Sequence, residues 1–186
     1  MEPVATYLIV GNALALLGSI WLVVTGLIKD KKKTLLSQMG YTATLSAANF
    51  VLGGYSGGVV NIVNFLRNVL YVSGHWSPAV KYTILALTVA IPLAANQNRL
   101  IGCFPIAASA AYVLLMHIED PLKFKLVLVA TTLPWAFYDF SIMSYTACAF
   151  DIGFVFSNAI GAARILADRR RGEASLEEPV SNTEGV

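Results

Sequence analysis

The stretch from Tyr145 to Leu166 reads YTACAFDIGFVFSNAIGAARIL, and it decides how the rest of the chain is read. It has the length of a membrane-spanning helix, for which about 20 apolar residues, within a range of about 17–25, cover the hydrocarbon core. Inside it stand Asp151, Asn158 and Arg164, residue types that an apolar run rarely carries. A carboxylate at the centre of a bilayer helix costs on the order of 2.5–3.5 kcal/mol on insertion scales, so it normally faces a bundle interior or a wet cavity and has a partner. Asp151 is therefore either part of a solute or proton site, or a polar contact that only holds helices together.

The whole chain has the same character. Its 186 residues are 56% hydrophobic and 13% charged, with a mean hydropathy of +0.65. Soluble domains are about a quarter charged, so the composition points to a polytopic membrane protein. A net charge of +2 is too small to imply nucleic acid, and the basic residues cluster in short loops instead. Cys103 and Cys148 both lie in apolar runs and read as small buried hydrophobes rather than a disulfide or a metal site. No metal or cofactor is expected. A cleavable signal is not evident, because Glu2 stands where a basic region would be and the first apolar run is too long.

Seven segments are candidates for crossing the bilayer: Ala5–Ile28, Thr34–Gly53, Gly57–Val72, Val80–Ala95, Leu100–His117, Phe124–Phe140 and Tyr145–Leu166. The glycine cluster at Gly53, Gly54, Gly57 and Gly58 keeps the second and third apart. Placing the N-terminus outside puts Lys29, Lys31, Lys32, Lys33, Lys81, Lys123, Lys125 and Arg169–Arg171 on the cytoplasmic side and leaves Arg99 outside. One transmembrane domain over residues 1–171 follows, with a tail over residues 172–186 (GEASLEEPVSNTEGV) that is polar, acidic and disordered by composition.

Sliding the chain on itself by ninety positions brings rare intramembrane polar residues together. Asn49 meets Asp139, Tyr55 meets Tyr145, Asn61 meets Asp151, and Asn68 meets Asn158. Helices one to three (residues 5–72) then fall on helices five to seven (residues 100–166), and helix four (residues 80–95) is left as a linker. Three helices plus one linker make two halves of the same orientation, related by an axis along the membrane normal. The expected fold is an all-α membrane bundle of seven transmembrane helices, built as two parallel three-helix repeats.

That arrangement resembles the SWEET sugar transporters and their relatives in the PQ-loop and nicotinamide-riboside transporter families. It is also similar to the small bacterial inner-membrane proteins of the YgjV type, through LGGYSGGVVNIVNFLR (Leu52–Arg67) in the first half. In the second half the similarity lies in WAFYDF (Trp135–Phe140), followed by Asp151, Asn158 and Arg164. The resemblance covers nearly all of the chain except the tail and implies a multi-pass protein of the bacterial inner membrane. By the same resemblance, a substrate would lie between the halves, with Asn61 and Asp151 at the positions of an asparagine pair and Trp135 as a stacking surface. Pro105 and Pro134 match hinge prolines of the fifth and sixth helices, whereas the first and second helices have no interior proline. An acid in place of one asparagine departs from a neutral-sugar site.

On the third helix, Asn61, Asn64 and Asn68 are spaced i, i+3 and i+7, which is one face. Lipid offers these amides nothing, so that face must look into the bundle, to bind a solute or to hydrogen-bond across helices. Asp151 and Asn158, seven apart, share a face of the seventh helix in the same way. Asn49 and Asp139 lie nearer the outer ends, as an external vestibule or as wet interfacial residues. Arg67 and Arg164 lie toward the cytoplasmic ends, where they either neutralise charge in the site or snorkel to the interface.

Enzyme chemistry is not expected: there is no nucleophile elbow, no HExxH and no cysteine pair at metal spacing. Two aspartates on different helices resemble an intramembrane aspartyl protease, but the flanking glycine motif is absent. The expected function is transport of a small polar solute by alternating access. Its substrate-contacting residues would be Asn61, Asn64, Asn68, Trp135, Asp151 and Asn158, and Asn49, Asp139, Arg67 and Arg164 would be vestibule or gate residues. The alternative is a non-transporting scaffold or receptor of the same fold. The partners expected are a polar solute and lipid, not nucleic acid, and a homo-oligomer is compatible with the sequence.

Overall fold

The computed structural model describes residues 3–177, and among these it contains seven α-helices and no strand. They are α1 (Pro3–Leu27), α2 (Lys31–Val51), α3 (Tyr55–Val72), α4 (Pro78–Ala94), α5 (Cys103–Leu115), α6 (Pro121–Ser141) and α7 (Tyr145–Glu177). The last helix runs on past the expected end at Leu166, taking residues 172–177 of the tail with it; the rest of the tail lies outside the described residues.

Several helix ends are set by local chemistry. Asp30 caps α2 by accepting the Lys33 N–H at 2.7 Å, and Asp120 caps α6 by accepting the Lys123 N–H at 2.9 Å. A capping carboxylate satisfies one of the N–H groups that a helix start leaves without a partner. At the other end of α2, Gly53 has φ +76° and the Gly54 N–H returns to the Asn49 carbonyl at 2.8 Å. The end of α6 repeats this turn with Met143 at φ +61° and the Ser144 N–H on the Asp139 carbonyl at 2.9 Å. Both are Schellman turns, which place one residue in the left-handed region. Each capping or turn residue of α6 lies ninety positions after its counterpart in α2.

The two turns predict opposite responses. A side chain in the left-handed region costs on the order of 1 kcal/mol, which glycine avoids. Gly53→Ala is expected to lower stability by about 1 kcal/mol, and Met143→Gly to raise it by less than that, because added chain entropy in the unfolded state offsets part of the gain. Thermal unfolding of the detergent-purified variants checks the pair, and the same sign for both would contradict the assignment.

Six helices close a ring in which α1 packs on α2, α2 on α3, α3 on α5, α5 on α6, α6 on α7 and α7 on α1. The fourth helix stands outside it, against α3 and α5. The ring's exterior is apolar: Leu17, Ile20, Trp21, Leu36, Phe140 and Phe156 are among its exposed side chains. Its interior holds Asn49, Asn61, Arg67, Asn68, Lys125, Asp139, Asp151 and Asn158, all buried. A water-soluble fold has the reverse distribution, whereas membrane helices turn ionisable groups inward. Two helices, over Thr6–Val23 and Tyr145–Arg171, are long and apolar enough by themselves to cross a membrane. Helices α4 and α5 are apolar but shorter, and inward-facing polar residues dilute α2, α3 and α6.

Candidate functional site

The polar faces of the ring converge on an interior cavity of about 70 Å³. From α3 it is lined by Asn61, Asn64 and Arg67; from α7, by Asp151 and Phe154. Helix α6 brings Thr131, Thr132 and Trp135, α5 brings Ser109 and Tyr112, and α2 brings Gln38, Tyr41 and Thr42. Four of the six residues expected to contact substrate are therefore together: Asn61, Asn64, Trp135 and Asp151. The spacing of Asn61 and Asn64 places both amides on the inner side of α3, and their partners differ. Asn64 donates to Ser109 Oγ at 3.0 Å, whereas the buried Asn61 Nδ2 group has no hydrogen-bond partner among the described residues.

Asn68 and Asn158 lie outside the cavity wall and hold buried cations. The Asn68 Oδ1 atom accepts from Arg67 Nε and Nη2 at 3.0 and 2.8 Å. The Asn158 Oδ1 atom accepts from Lys125 Nζ at 3.3 Å, and the same ammonium donates to the Ile28 carbonyl at 3.1 Å. Lys125, counted in the sequence as a loop charge, is thus an interior residue. Burial of an ammonium without such acceptors would be prohibitive.

Arg67 is also interior. It does not snorkel: its side chain is 3% exposed, it donates Nη1 to Asn64 Oδ1 at 2.9 Å, and its guanidinium lies 4.2 Å from the Tyr112 ring centre. Arg164 is exposed on α7 and does not line this cavity, so it fits the interfacial reading. Asn49 and Asp139 form no wet vestibule, because both are buried. Asp139 instead stands within hydrogen-bonding reach of Asp151, at the back of the cavity wall. Asp151 Oδ1 accepts from the Tyr41 hydroxyl at 3.3 Å, and the contact with Asp139 requires a proton held between the two acids.

Sequence reasoning missed Gln38, Tyr41, Thr42, Ser109, Tyr112, Thr131 and Thr132. The ninety-residue offset carries a signal for some of them: Tyr41 falls on Thr131 and Thr42 on Thr132, and all four line the cavity.

Bonds between the α1–α3 and α5–α7 parts close the ring at both ends. At one end the Tyr138 hydroxyl accepts the Gly57 N–H at 3.1 Å, and Asn12 of α1 bridges to Met143 and Thr146. At the other, Lys31 donates to the Met116 carbonyl at 2.6 Å and to Glu119 at 2.9 Å, while the Tyr71 hydroxyl donates to Glu119 at 3.0 Å. The Lys31 bond, followed by that of Tyr71, holds the loop carboxylate Glu119 below its ordinary range, with partial burial opposing.

These features define a helical bundle with an apolar exterior and a charged, partly unsatisfied interior cavity. A family model described as a bacterial inner membrane protein, Imp-YgjV, matches residues 9–169, and the chain belongs to that family. No curated protein and no solved structure matches it.

Proposed function

We propose that this protein carries a small polar solute across the bacterial inner membrane, its two three-helix halves rocking about the central cavity in the manner of SWEET-like transporters. The observation that carries the reading is the convergence of Asn61, Asn64, Trp135 and Asp151 on one cavity, with inter-half bonds at both ends of the ring. The packing pairs support two equivalent halves: α1/α2, α2/α3 and α7/α1 correspond under the offset to α5/α6, α6/α7 and α3/α5. All seven helices cross the membrane in this reading, with the N-terminus outside and the basic ends of α2, α6 and α7 in the cytoplasm. The role is transport rather than catalysis.

A scaffold would have its interior polar groups paired and dry. Asn158 conforms to that, but Asn61 Nδ2, on a cavity-lining residue, has no partner among the described residues. An unpartnered polar group on a side chain that lines a cavity is what a solute site requires.

The test is uptake into proteoliposomes carrying the purified protein. Loss of one hydrogen bond to a charged group removes about 1.5–3 kcal/mol, so Asp151→Ala is expected to reduce uptake of the transported solute about tenfold or more. Asn61→Ala is expected to act in the same direction with a smaller effect. Unchanged uptake in both would sink the proposal.

A further inference from the structure

A buried guanidinium and a buried acid pair face this cavity, and neither meets a group of opposite charge among the described residues. Arg67 lines it from α3 and Asp151 from α7, and their residues are 3% and 1% exposed. The ion pairs among the described residues are Lys29–Asp168, Lys31–Glu119 and Arg169–Asp120, and none includes either group. Buried charges are normally paired, because removal from water costs more than neutral hydrogen bonds return.

The remaining valences of each group specify what is missing. A guanidinium has five N–H donors. Three from Arg67 go to the neutral amide oxygens of Asn64 and Asn68. The two left over are one on each terminal nitrogen, the number that a carboxylate takes in a bidentate pair. On the other wall, Asp151 and Asp139 lie within hydrogen-bonding reach of each other, a contact that holds one proton between the two acids and leaves the pair a single negative charge to offer. An ammonium group brings three donors and a positive charge to such acceptors. Trp135 lines the same cavity, and an aromatic ring attracts a cation that meets its face.

We propose that the solute is a small zwitterion of the amino-acid class, its carboxylate on Arg67 and its primary ammonium on Asp151. The solute's passage rests on the transporter reading above, whereas its recognition does not. A neutral sugar would leave both charges unpaired, and a simple anion or cation would leave one. The cavity's 70 Å³ is far below the roughly 300–1,000 Å³ of ordinary ligand pockets, which favours amino acids with the shortest side chains. A quaternary ammonium is excluded because it has no N–H to donate to Asp151.

The experiment uses the full chain in nanodiscs, with thermal unfolding and equilibrium dialysis against glycine, L-alanine, L-serine and β-alanine. Glycinamide lacks the carboxylate, acetate lacks the ammonium, and glycine betaine lacks the N–H donors. At least one zwitterion is expected to bind and raise the unfolding midpoint, while all three controls at equal concentration do not. Asp151→Asn is expected to weaken that binding about tenfold or more and to bring its affinity close to that for the deaminated analogue. Arg67→Gln should do the same with respect to the amide analogue; should that variant not fold, the controls and Asp151→Asn decide alone. No binding of any of the four, or binding untouched by Asp151→Asn, overturns the inference. Uptake of a sugar or an amine with no zwitterion binding would defeat this inference and leave the transporter reading standing. Zwitterion binding without uptake would do the reverse.

Discussion

Arg67→Leu is expected to lower the protein's stability by about 2–4 kcal/mol, the range of a buried charged group removed from its partners. The substitution leaves Asn64 Oδ1 and Asn68 Oδ1 without the donors they now have. Each unsatisfied buried acceptor costs about 1–3 kcal/mol, and the contact with Tyr112 adds about 0.5–2 kcal/mol. Two terms act the other way. The cost of burying the guanidinium disappears, and hydrogen bonds within membrane proteins average only about 0.6 kcal/mol in mutant cycles. The balance stays unfavourable because two acceptors are stranded at once. Replacing Asn64 and Asn68 by leucine in the same chain should restore much of the loss, since removing all partners together is far less costly than removing one. Denaturant unfolding measures the series; a triple variant no more stable than Arg67→Leu would show that stranded amides are not the cause.

The second large effect is expected at Gly57, where α3 crosses the ring of Tyr138. A Cβ added to Gly57 would lie 2.5 Å from Tyr138 Cε1, 2.8 Å from its hydroxyl and 2.9 Å from Asn49 Nδ2. Tyr138 has no exposed surface and is packed against Leu52 and Ile142, so its ring cannot swing away. Overpacking of this kind costs about 1–3 kcal/mol, and the bond from the Gly57 N–H to the Tyr138 hydroxyl is lost as the helices part. Gly57→Ala is therefore expected to destabilise by about 2–4 kcal/mol, summing the clash and that bond. Gly40 provides the opposite case. It is exposed in the middle of α2 with nothing within 4 Å of an added Cβ, so Gly40→Ala should stabilise by about 1 kcal/mol through helix propensity. Combining Gly57→Ala with Tyr138→Ala should cost less than the sum of the two, because the second change removes the atoms the first collides with.

Much of this was legible in the sequence, because long apolar runs bounded by charge and glycine leave little freedom. The number of helices followed from those runs, and the ninety-residue offset matched the starts of α2 and α6 but left the expected end of α6 three residues short of its counterpart. Asn61, Asn64 and Asp151 were legible as cavity residues because an amide or acid in an apolar helix has nowhere to go but inward, whereas Trp135 came from the resemblance. The rule does not extend to Lys125, and for Arg67 it stands beside the alternative of snorkelling. Their long side chains can reach an interface, and only the acceptors supplied by Asn68 and Asn158 turn them inward. Asn49 and Asp139 were assigned by depth along the helix, which says nothing of the neighbour that covers them. Gly53 announced a left-handed turn, whereas its counterpart Met143 could not, since methionine has no preference for that conformation. Tyr41 and Tyr112 were invisible for another reason: a tyrosine suits an interface as well as an interior, and their hydroxyls have no rarity to draw notice.

The fourth helix lies outside the ring and contributes no residue to the cavity. In the two-halves reading proposed above, it joins halves that otherwise meet only through their mutual faces. Tethering turns their association into an intramolecular event, with an effective concentration fixed by a span of chain that is largely helical and therefore of set length. A single break between Gly74 and Ser77 would remove that advantage without touching a wall residue, and the protein's stability would then depend on how much of each fragment is present.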